Sequence, residues 1–226
     1  PSGEFHLLGL GLKKPGKKLL ETIEFLRGER DSRNKKIIQK LQEQNIDISY
    51  EELVEKSGTK TIGRPHFAKL LMEKGIIKKT QQAFNLFLAK GRPCYVDKTG
   101  ENLRKAVEAI KESGGIPVQA HPMSMYVSWG KMEETMLEVR NSGVEGLEAH
   151  HPGIRLSEAR RLEELAEKLG MLSTAGSDFH GEKVRADRKI GYSSGGYKIE
   201  DRFWTEQLKP ALEKAHSGTD HTFSAG

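Results

Sequence analysis

With 226 residues, the chain is long enough to bury a core and to form one large domain or one domain with an insertion. Its 37 basic and 32 acidic residues give a formal charge of +5, which suits an anionic substrate but also fits an ordinary solvated surface. The single cysteine, Cys94, excludes an internal disulfide framework, and we find no leader-like or long apolar run, so we expect a cytoplasmic protein without membrane association.

The chain opens on Pro-Ser-Gly-Glu and passes directly into the apolar run of residues 5–10, which predicts a buried strand with almost no lead-in. We therefore expect that sequence is missing upstream. Residues 1–14 then represent one strand of a domain that begins before Pro1.

Residues 15–97 carry helical apolar spacing that is divided by turn signals. A stripe begins at Leu19 and continues to Leu41, Ser49 starts a capping box, and Pro65 suits the first turn of a further helix. Thr80 is the expected N-cap of the last helix. The pattern predicts an all-helical subdomain inserted near the start of the chain.

Residues 98–206 repeat a different pattern of helix, glycine and short apolar strand. Three predicted strands stop at His121, at His150 and at the segment 176–180, which reads Gly-Ser-Asp-Phe-His. Such alternation predicts an α/β fold with a parallel sheet or barrel, in which the carboxyl ends of the strands carry the chemistry. The polar tail, residues 207–226, is expected to be flexible and contains His216 and His221.

Asp178 and His180 stand two residues apart, so on an extended strand their side chains project to the same side. A carboxylate and an imidazole can hold zinc, manganese or iron, and a bound metal activates water at neutral pH. His121, at another strand end, is the natural third ligand. Alone, each residue reads more readily as a surface histidine or a turn-capping aspartate, but their recurrence at equivalent points favours a metal site.

These motifs resemble a known family. Ala120-His121-Pro122 and residues 176–180 resemble the last two metal motifs of the PHP (polymerase and histidinol phosphatase) superfamily, and residues 5–10 resemble the segment that carries an earlier histidine ligand. Residues 63–68 and 90–96 resemble the helical insertion of one branch, whose members remove phosphate from nucleoside 3′,5′-bisphosphates or shorten RNA from its 5′ end. The resemblance covers about residues 4–195 and keeps the motifs in order.

Members of this superfamily fold as a distorted (β/α)7 barrel whose mouth holds up to three divalent metal ions. The resemblance implies His6, His121, Asp178 and His180 as metal ligands, with Asp178 and His180 as catalytic residues and manganese, iron or zinc as the cofactor. The family's opening His-x-His, the next Asp-His-Asp-like segment and the following glutamate have no counterpart here. We therefore expect an N-terminally incomplete barrel whose remaining ligands come from upstream sequence or from another chain.

Several residues are candidates for substrate binding. Arg64 and His66 flank Pro65 at a helix start, where backbone N–H groups and the helix dipole favour an anion, although capping or packing is the alternative role. Lys90 and Arg92 are weaker candidates of the same kind. His150, with His151, could line the mouth and bind substrate, or could lie at the surface.

The chain contains no phosphate-loop, complete dinucleotide-binding or Gly-x-Ser-x-Gly motif, which leaves metal-activated water as the nucleophile. We therefore expect a metal-dependent phosphoesterase that acts on a small nucleotide or a short oligonucleotide. The alternatives are a non-catalytic PHP-like scaffold and a related amidohydrolase-type enzyme that cleaves C–N bonds. Oligomeric state is not encoded in these patterns.

Overall fold

The computed structural model describes residues 3–58, 61–181 and 187–219. Two compact units are present: residues 1–20 together with 102–226, and residues 21–101. Among the helices of the described ranges, none combines the length and the apolar character needed to cross a membrane.

The first unit is built on a four-stranded sheet with the order β1-β2-β3-β4. The strands are β1 (His6–Leu10), β2 (Ile116–Ala120), β3 (Gly146–His150) and β4 (Leu172–Ala175). The last three strands are parallel, which confirms the α/β class, whereas β1 runs antiparallel to β2. Apolar periodicity does not encode strand direction, so the sequence did not reveal this reversal.

Helices connect and flank these strands. Their bounds are α1 (Lys17–Glu43), α2 (Tyr50–Ser57), α3 (Arg64–Glu73), α4 (Thr80–Ala83), α5 (Leu103–Glu112), α6 (Trp129–Asn141), α7 (Leu156–Lys168) and α8 (Lys209–Thr219). Short π-helical segments, Phe84–Leu88 and Phe203–Leu208, follow α4 and precede α8. Helices α6 and α7 form the crossovers between parallel strands, which a parallel pair requires.

The core of the first unit lies where α6 and α7 cover the sheet. Met132 and Met136 of α6 and Leu162 of α7 are at most 1% exposed, and they cluster with Leu147 of β3. The helical spacing of these residues predicted the stripes, and the structure confirms them. Their burial keeps the strand ends at fixed relative positions.

The expectation of a flexible tail over residues 207–226 is wrong for its first part. Residues 209–219 form α8, and Leu212, 7% exposed, packs with Ile116 and Val118 of β2. The His216 Nε2–H also donates to the carbonyl oxygen of Gly114 at 2.9 Å. Leu208, Ala211 and Ala215 pack against the same cluster, while His221 lies outside the described residues.

The second unit, residues 21–101, is all-helical in its described secondary structure. Its core contains Ile37 and Leu41 of α1 together with Phe67 and Leu71 of α3, each fully buried. The N-cap half of the predicted capping box is confirmed, since Ser49 Oγ accepts a hydrogen bond from the Glu52 N–H at 3.1 Å, while Glu52 Oε2 lies 2.9 Å from Lys74 Nζ. At the last helix Thr80 is the first helical residue rather than the cap.

A partly buried ion-pair network links α7 to the segment that precedes α8. The Glu163 carboxylate accepts hydrogen bonds from Nη1 and Nη2 of Arg202 at 2.6 and 3.2 Å, and lies 2.7 Å from Nε2 of His150. Burial raises the pKa of Glu163, but hydrogen bonds from Arg202 and His150 outweigh it, so the net shift is downward from 4.5. Stabilisation from this depressed pKa is present above pH 4.5 and is lost as the pH falls through the folded pKa.

We therefore expect Glu163→Gln to lower the free energy of unfolding by about 2 kcal/mol at pH 7. Urea unfolding measured at pH 7 and in acid should show the difference shrinking as the pH falls, because the stabilisation from the depressed pKa of Glu163 is lost as the pH falls through that pKa. Glu164→Gln, at the exposed neighbouring position, is the control and should change stability little. A difference that grows in acid would contradict the assigned network.

Candidate metal centre

Candidate ligands gather at one end of the sheet. His121 follows β2, His151 follows β3, and Asp178 and His180 follow β4, so all four stand beyond the carboxyl ends of parallel strands. His6 begins β1 and pairs in register with Ala120. Because β1 is antiparallel, its first residue lies at the same end of the sheet as the last residues of its neighbours.

His6 and His121 form the closest pair of candidate ligands. Nδ1 of His6 lies 3.1 Å from Nε2 of His121. Nδ1 of His121 lies 2.7 Å from Ser124 Oγ, whose hydroxyl donates to the Glu4 carbonyl oxygen at 3.0 Å. Since Ser124 uses its proton on Glu4, it accepts from Nδ1–H of His121, which leaves the lone pair of His121 on Nε2.

His151 lies beside this pair, and its Nδ1–H, like that of His121, is bound to an oxygen acceptor. Its ring centroid is 6.2 Å from that of His121, and its Nδ1–H donates to the Pro152 carbonyl at 3.1 Å. Its Nε2 is buried and has no hydrogen-bond partner in the described part of the chain. Burial lowers the pKa of His151 to about 4, so the imidazole is neutral and presents a lone pair at Nε2.

Asp178 and His180 form a second pair. Nδ1–H of His180 donates to the backbone oxygen of Asp178 at 2.8 Å and lies 3.5 Å from Oδ1 of the same residue. Nε of Arg188 is 3.9 Å from Oδ2 of Asp178. His180 is exposed, and its Nε2 is the nitrogen left to accept a metal ion.

Backbone strain marks both pairs. His121 has φ of 30° and Asp178 has φ of 48°, values in the left-handed region that non-glycine residues seldom adopt. Such conformations cost on the order of 1–3 kcal/mol and persist only where the surrounding structure holds them. The surrounding structure therefore holds both residues in a costly backbone conformation, which fixes the directions of their side chains.

Glu148, in the middle of β3, holds the turn after β2. Its Oε2 accepts a hydrogen bond from the His121 N–H at 2.9 Å, and the residue is 7% exposed. Burial raises the pKa of Glu148 to about 7, the His121 N–H opposes this shift, and the charge of Asp178 adds to it. The influence of Asp178 shows that the β3 and β4 ends of the site share one electrostatic environment.

Gly176 makes room for the Glu148 carboxylate. A Cβ atom at position 176 would lie 1.8 Å from Oε1 of Glu148, so any larger residue must push the carboxylate away from the His121 N–H. We expect Gly176→Ala to lower the free energy of unfolding by about 1–3 kcal/mol, which denaturant titration would measure. Gly130→Ala, in a helix with open space around it, is the control and should not destabilise the chain. Equal stability of the two variants would show that Glu148 moves freely.

These residues fit a divalent metal in donor type but do not complete a site. His121, His151 and His180 each tie Nδ1 to an oxygen acceptor and leave Nε2 as the ligand atom, the arrangement of metal-binding histidines. Imidazole and carboxylate donors suit zinc, manganese and iron. Within residues 3–58, 61–181 and 187–219, however, no three His, Cys, Asp or Glu side chains converge on one metal-sized point.

The structure does not bring His150 to this cluster. Its Nε2 faces Glu163, and its ring centroid is 4.9 Å from that of Phe203. From the sequence, His150 and His151 were both expected to line the mouth and bind substrate or to lie at the surface, and Glu148 had no assigned role. The sequence signal for Glu148 was a carboxylate within an apolar strand. No such signal separates the two histidines, because the irregular strand register between Glu148 and His150 decides which of them faces the cluster.

The other predicted substrate residues lie in the second unit. His66 accepts a hydrogen bond from the Gly63 N–H at 3.0 Å, which is a capping role at the start of α3. The Arg64 guanidinium lies 5.6 Å from the centroid of the Tyr95 ring and donates to the Leu88 carbonyl at 3.4 Å. Lys90 and Arg92 are exposed.

Comparison with known proteins supplies the context for this cluster. No protein-family model matches the chain. The chain is 25% identical over 180 residues to a 5′-3′ exoribonuclease of Haemophilus influenzae, covering 77% of the chain and 64% of that protein. It is 26% identical over 211 residues to a 3′,5′-nucleoside bisphosphate phosphatase of Chromobacterium violaceum, covering 91% of the chain and 74% of that protein. These similarities support a PHP-type phosphoesterase.

A solved structure agrees with this relationship at the level of the fold. A candidate metal-dependent phosphoesterase from Bifidobacterium adolescentis superposes with a TM-score of 0.73 at 24% identity, over 91% of this chain and 71% of that one. The chain spans only about two thirds of the length of the relatives it matches. The superposition therefore supports a related α/β fold. The activity of each relative belongs to its whole length.

Proposed function

We propose that the chain is part of a metal-dependent phosphoesterase that hydrolyses phosphate esters of small nucleotides, such as nucleoside 3′,5′-bisphosphates, or of short oligonucleotides. The observation that carries the proposal is the gathering of His6, His121 and His151 with the Asp178–His180 pair at one end of the sheet. The similarity to a bisphosphate phosphatase and to an exoribonuclease supports the choice of phosphate esters.

We propose His6, His121, Asp178 and His180 as metal ligands and add His151. A bound divalent ion would activate a water molecule and neutralise phosphoryl charge. Ser124 and Pro152 accept hydrogen bonds from the Nδ1–H groups of His121 and His151, so that each of the two rings carries its lone pair on Nε2. Because three donors do not yet converge among the described residues, we propose that further ligands join these side chains in the working centre.

The protein chain itself performs the positioning. Glu148 holds the strained His121 backbone through the amide N–H, and Arg188 lies close enough to Asp178 to offset its charge. A preorganised cation such as Arg188 stabilises negative charge that develops on a phosphoryl oxygen without reorganising during the reaction. We propose Asp178 and His180 as the residues whose side chains touch the reacting centre.

Two finer features also remain proposals. We propose that the four-stranded sheet belongs to a distorted (β/α)7 barrel, which the TM-score of 0.73 supports only as a related fold. We also propose Arg64, Lys90 and Arg92 as phosphate-binding residues of the helical unit, since their cationic side chains suit an anion. His66 and His150 are weaker proposals, because each ring already has a structural hydrogen-bond partner.

The proposal is tested with protein expressed from the complete reading frame. Elemental analysis should find a transition metal bound, and phosphate should be released from adenosine 3′,5′-bisphosphate when manganese is added. The same preparation should release no ammonia from amide or amidine substrates, which separates phosphoester hydrolysis from C–N hydrolysis. Metal-free protein that turns over none of these substrates would support a scaffold role instead.

A further inference from the structure

Glu4 contacts both histidines of the closest candidate pair. Oε2 of its carboxylate lies 3.5 Å from Nε2 of His6, and both side chains are about half exposed. Its backbone carbonyl oxygen accepts a hydrogen bond from the Ser124 hydroxyl at 3.0 Å, and Ser124 accepts one from Nδ1–H of His121 at 2.7 Å. A single residue therefore reaches the ring of His6 through its side chain and the ring of His121 through its backbone.

Backbone contacts hold Glu4 in this place. The Glu4 N–H donates to the Ser124 carbonyl at 3.0 Å, and the Gly3 N–H donates to the Met125 carbonyl at 3.1 Å. A Cβ atom at position 3 would collide with the Ser124 carbonyl oxygen, so glycine allows the two segments to approach this closely. Met125 is 1% exposed and packs in the core of the unit. The position of Glu4 therefore does not depend on its carboxylate.

The Glu4 carboxylate favours one tautomer of His6. A neutral imidazole has one N–H group and one nitrogen lone pair. With the proton on Nδ1, the lone pair of Nε2 would face the negative oxygen of Glu4, which Coulomb repulsion disfavours. With the proton on Nε2, the N–H group faces the carboxylate and the interaction is attractive. The favoured tautomer therefore carries its lone pair on Nδ1.

Nδ1 of His6 then faces a second lone pair. It lies 3.1 Å from Nε2 of His121, whose Nδ1–H is already bound to Ser124. Two lone pairs that face each other repel unless a cation lies between them. Two histidine nitrogens on one tetrahedral zinc ion, with Zn–N lengths of about 2.0–2.1 Å, stand roughly 3.3 Å apart. The separation of 3.1 Å therefore suits two ligands of one divalent ion.

We propose that Glu4 is a positioning residue of the metal centre, whose carboxylate orients His6 so that Nδ1 binds the metal ion. The other histidines of the cluster present Nε2 instead. The inference rests on the proposed function, because the choice of nitrogen matters only when a metal ion occupies the cluster. A carboxylate that accepts from the outer N–H of a metal-binding histidine fixes the tautomer and the orientation of the ring. Glu4 gives His6 the support that Ser124 gives His121.

Zinc titration calorimetry of protein expressed from the complete reading frame tests this inference. Glu4→Ala should lower zinc affinity about 10–100-fold, because it removes the carboxylate that orients a metal-binding histidine. Glu4→Gln should recover most of this affinity, since its amide oxygen still accepts from Nε2–H. Glu134→Ala removes an exposed glutamate of the same unit and should leave zinc affinity unchanged.

Nitrogen-15 NMR of the zinc-loaded protein identifies the tautomer directly, and a purely structural role of Glu4 would not determine it. In wild type the proton of the His6 ring should be on Nε2, with Nδ1 as the zinc-bound nitrogen. A proton on Nδ1 would overturn the inference, and so would an unchanged zinc affinity in Glu4→Ala.

Phosphate release separates this inference from the proposed function. Wild-type protein that releases phosphate while its zinc affinity is independent of Glu4 would leave the function standing and remove the positioning role. Zinc binding that depends on Glu4, in a protein that releases no phosphate, would keep the positioning role and remove the function.

Discussion

Asp178→Asn is expected to slow phosphate release from adenosine 3′,5′-bisphosphate at least about a thousandfold, equivalent to some 4 kcal/mol of lost transition-state stabilisation. Removing the carboxylate charge takes away a proposed metal ligand, which follows β4, and the group that faces Nδ1 of His180 at 3.5 Å. Asparagine tolerates the left-handed backbone conformation of this residue, whose φ is 48°, so the fold should survive.

The measurement is steady-state phosphate release with added manganese, accompanied by the metal content of each purified protein. Asp201→Asn provides a matched control, because Asp201 is an exposed aspartate of the same unit without a place in the cluster. Both variants should unfold at nearly the temperature of wild type. Full turnover by Asp178→Asn with bound metal would remove the basis for the proposed mechanism.

Glu148→Leu is the second substitution with a large expected effect. It deprives the His121 N–H of its acceptor and leaves a buried donor unpaired, at a cost of about 1–3 kcal/mol of unfolding free energy. The His121 backbone, at φ of 30°, loses the contact that holds it, so its ring should leave the position beside His6. Loss of a residue that orients a metal ligand typically lowers metal affinity or activity about 10–100-fold. We expect Glu148→Leu to lower both by about that factor.

Glu148→Gln separates the hydrogen bond from the charge. The amide oxygen can still accept from the His121 N–H, so this variant should keep most of the stability and metal affinity that Glu148→Leu loses. Denaturant titration of metal-free protein and calorimetric titration with zinc would measure the two quantities. If both substitutions behave alike, the carboxylate has a role other than holding the turn.

Sequence patterns predicted the helices and strands of the first unit with few errors. Leu162 and Leu165 on α7, and Met132 and Met136 on α6, carry the spacing of a buried helical face, and glycines follow these helices. These signals are local, because residues within a few positions of one another decide them. The errors fell where contacts between residues far apart in the chain decide the structure. Helix α8 is an example, because Leu212 packs against Ile116 and Val118 of β2.

The amino-acid sequence determined the α/β class and the placement of His121 after β2 and of Asp178 and His180 after β4, since helical and extended periodicities are determined by neighbouring residues. Only the tertiary structure decided that β1 is antiparallel and so presents His6 to His121, and that His151 rather than His150 lies beside them. Strand direction and the irregular register at Glu148 depend on the packing free energy of segments far apart in the chain, which no local pattern records.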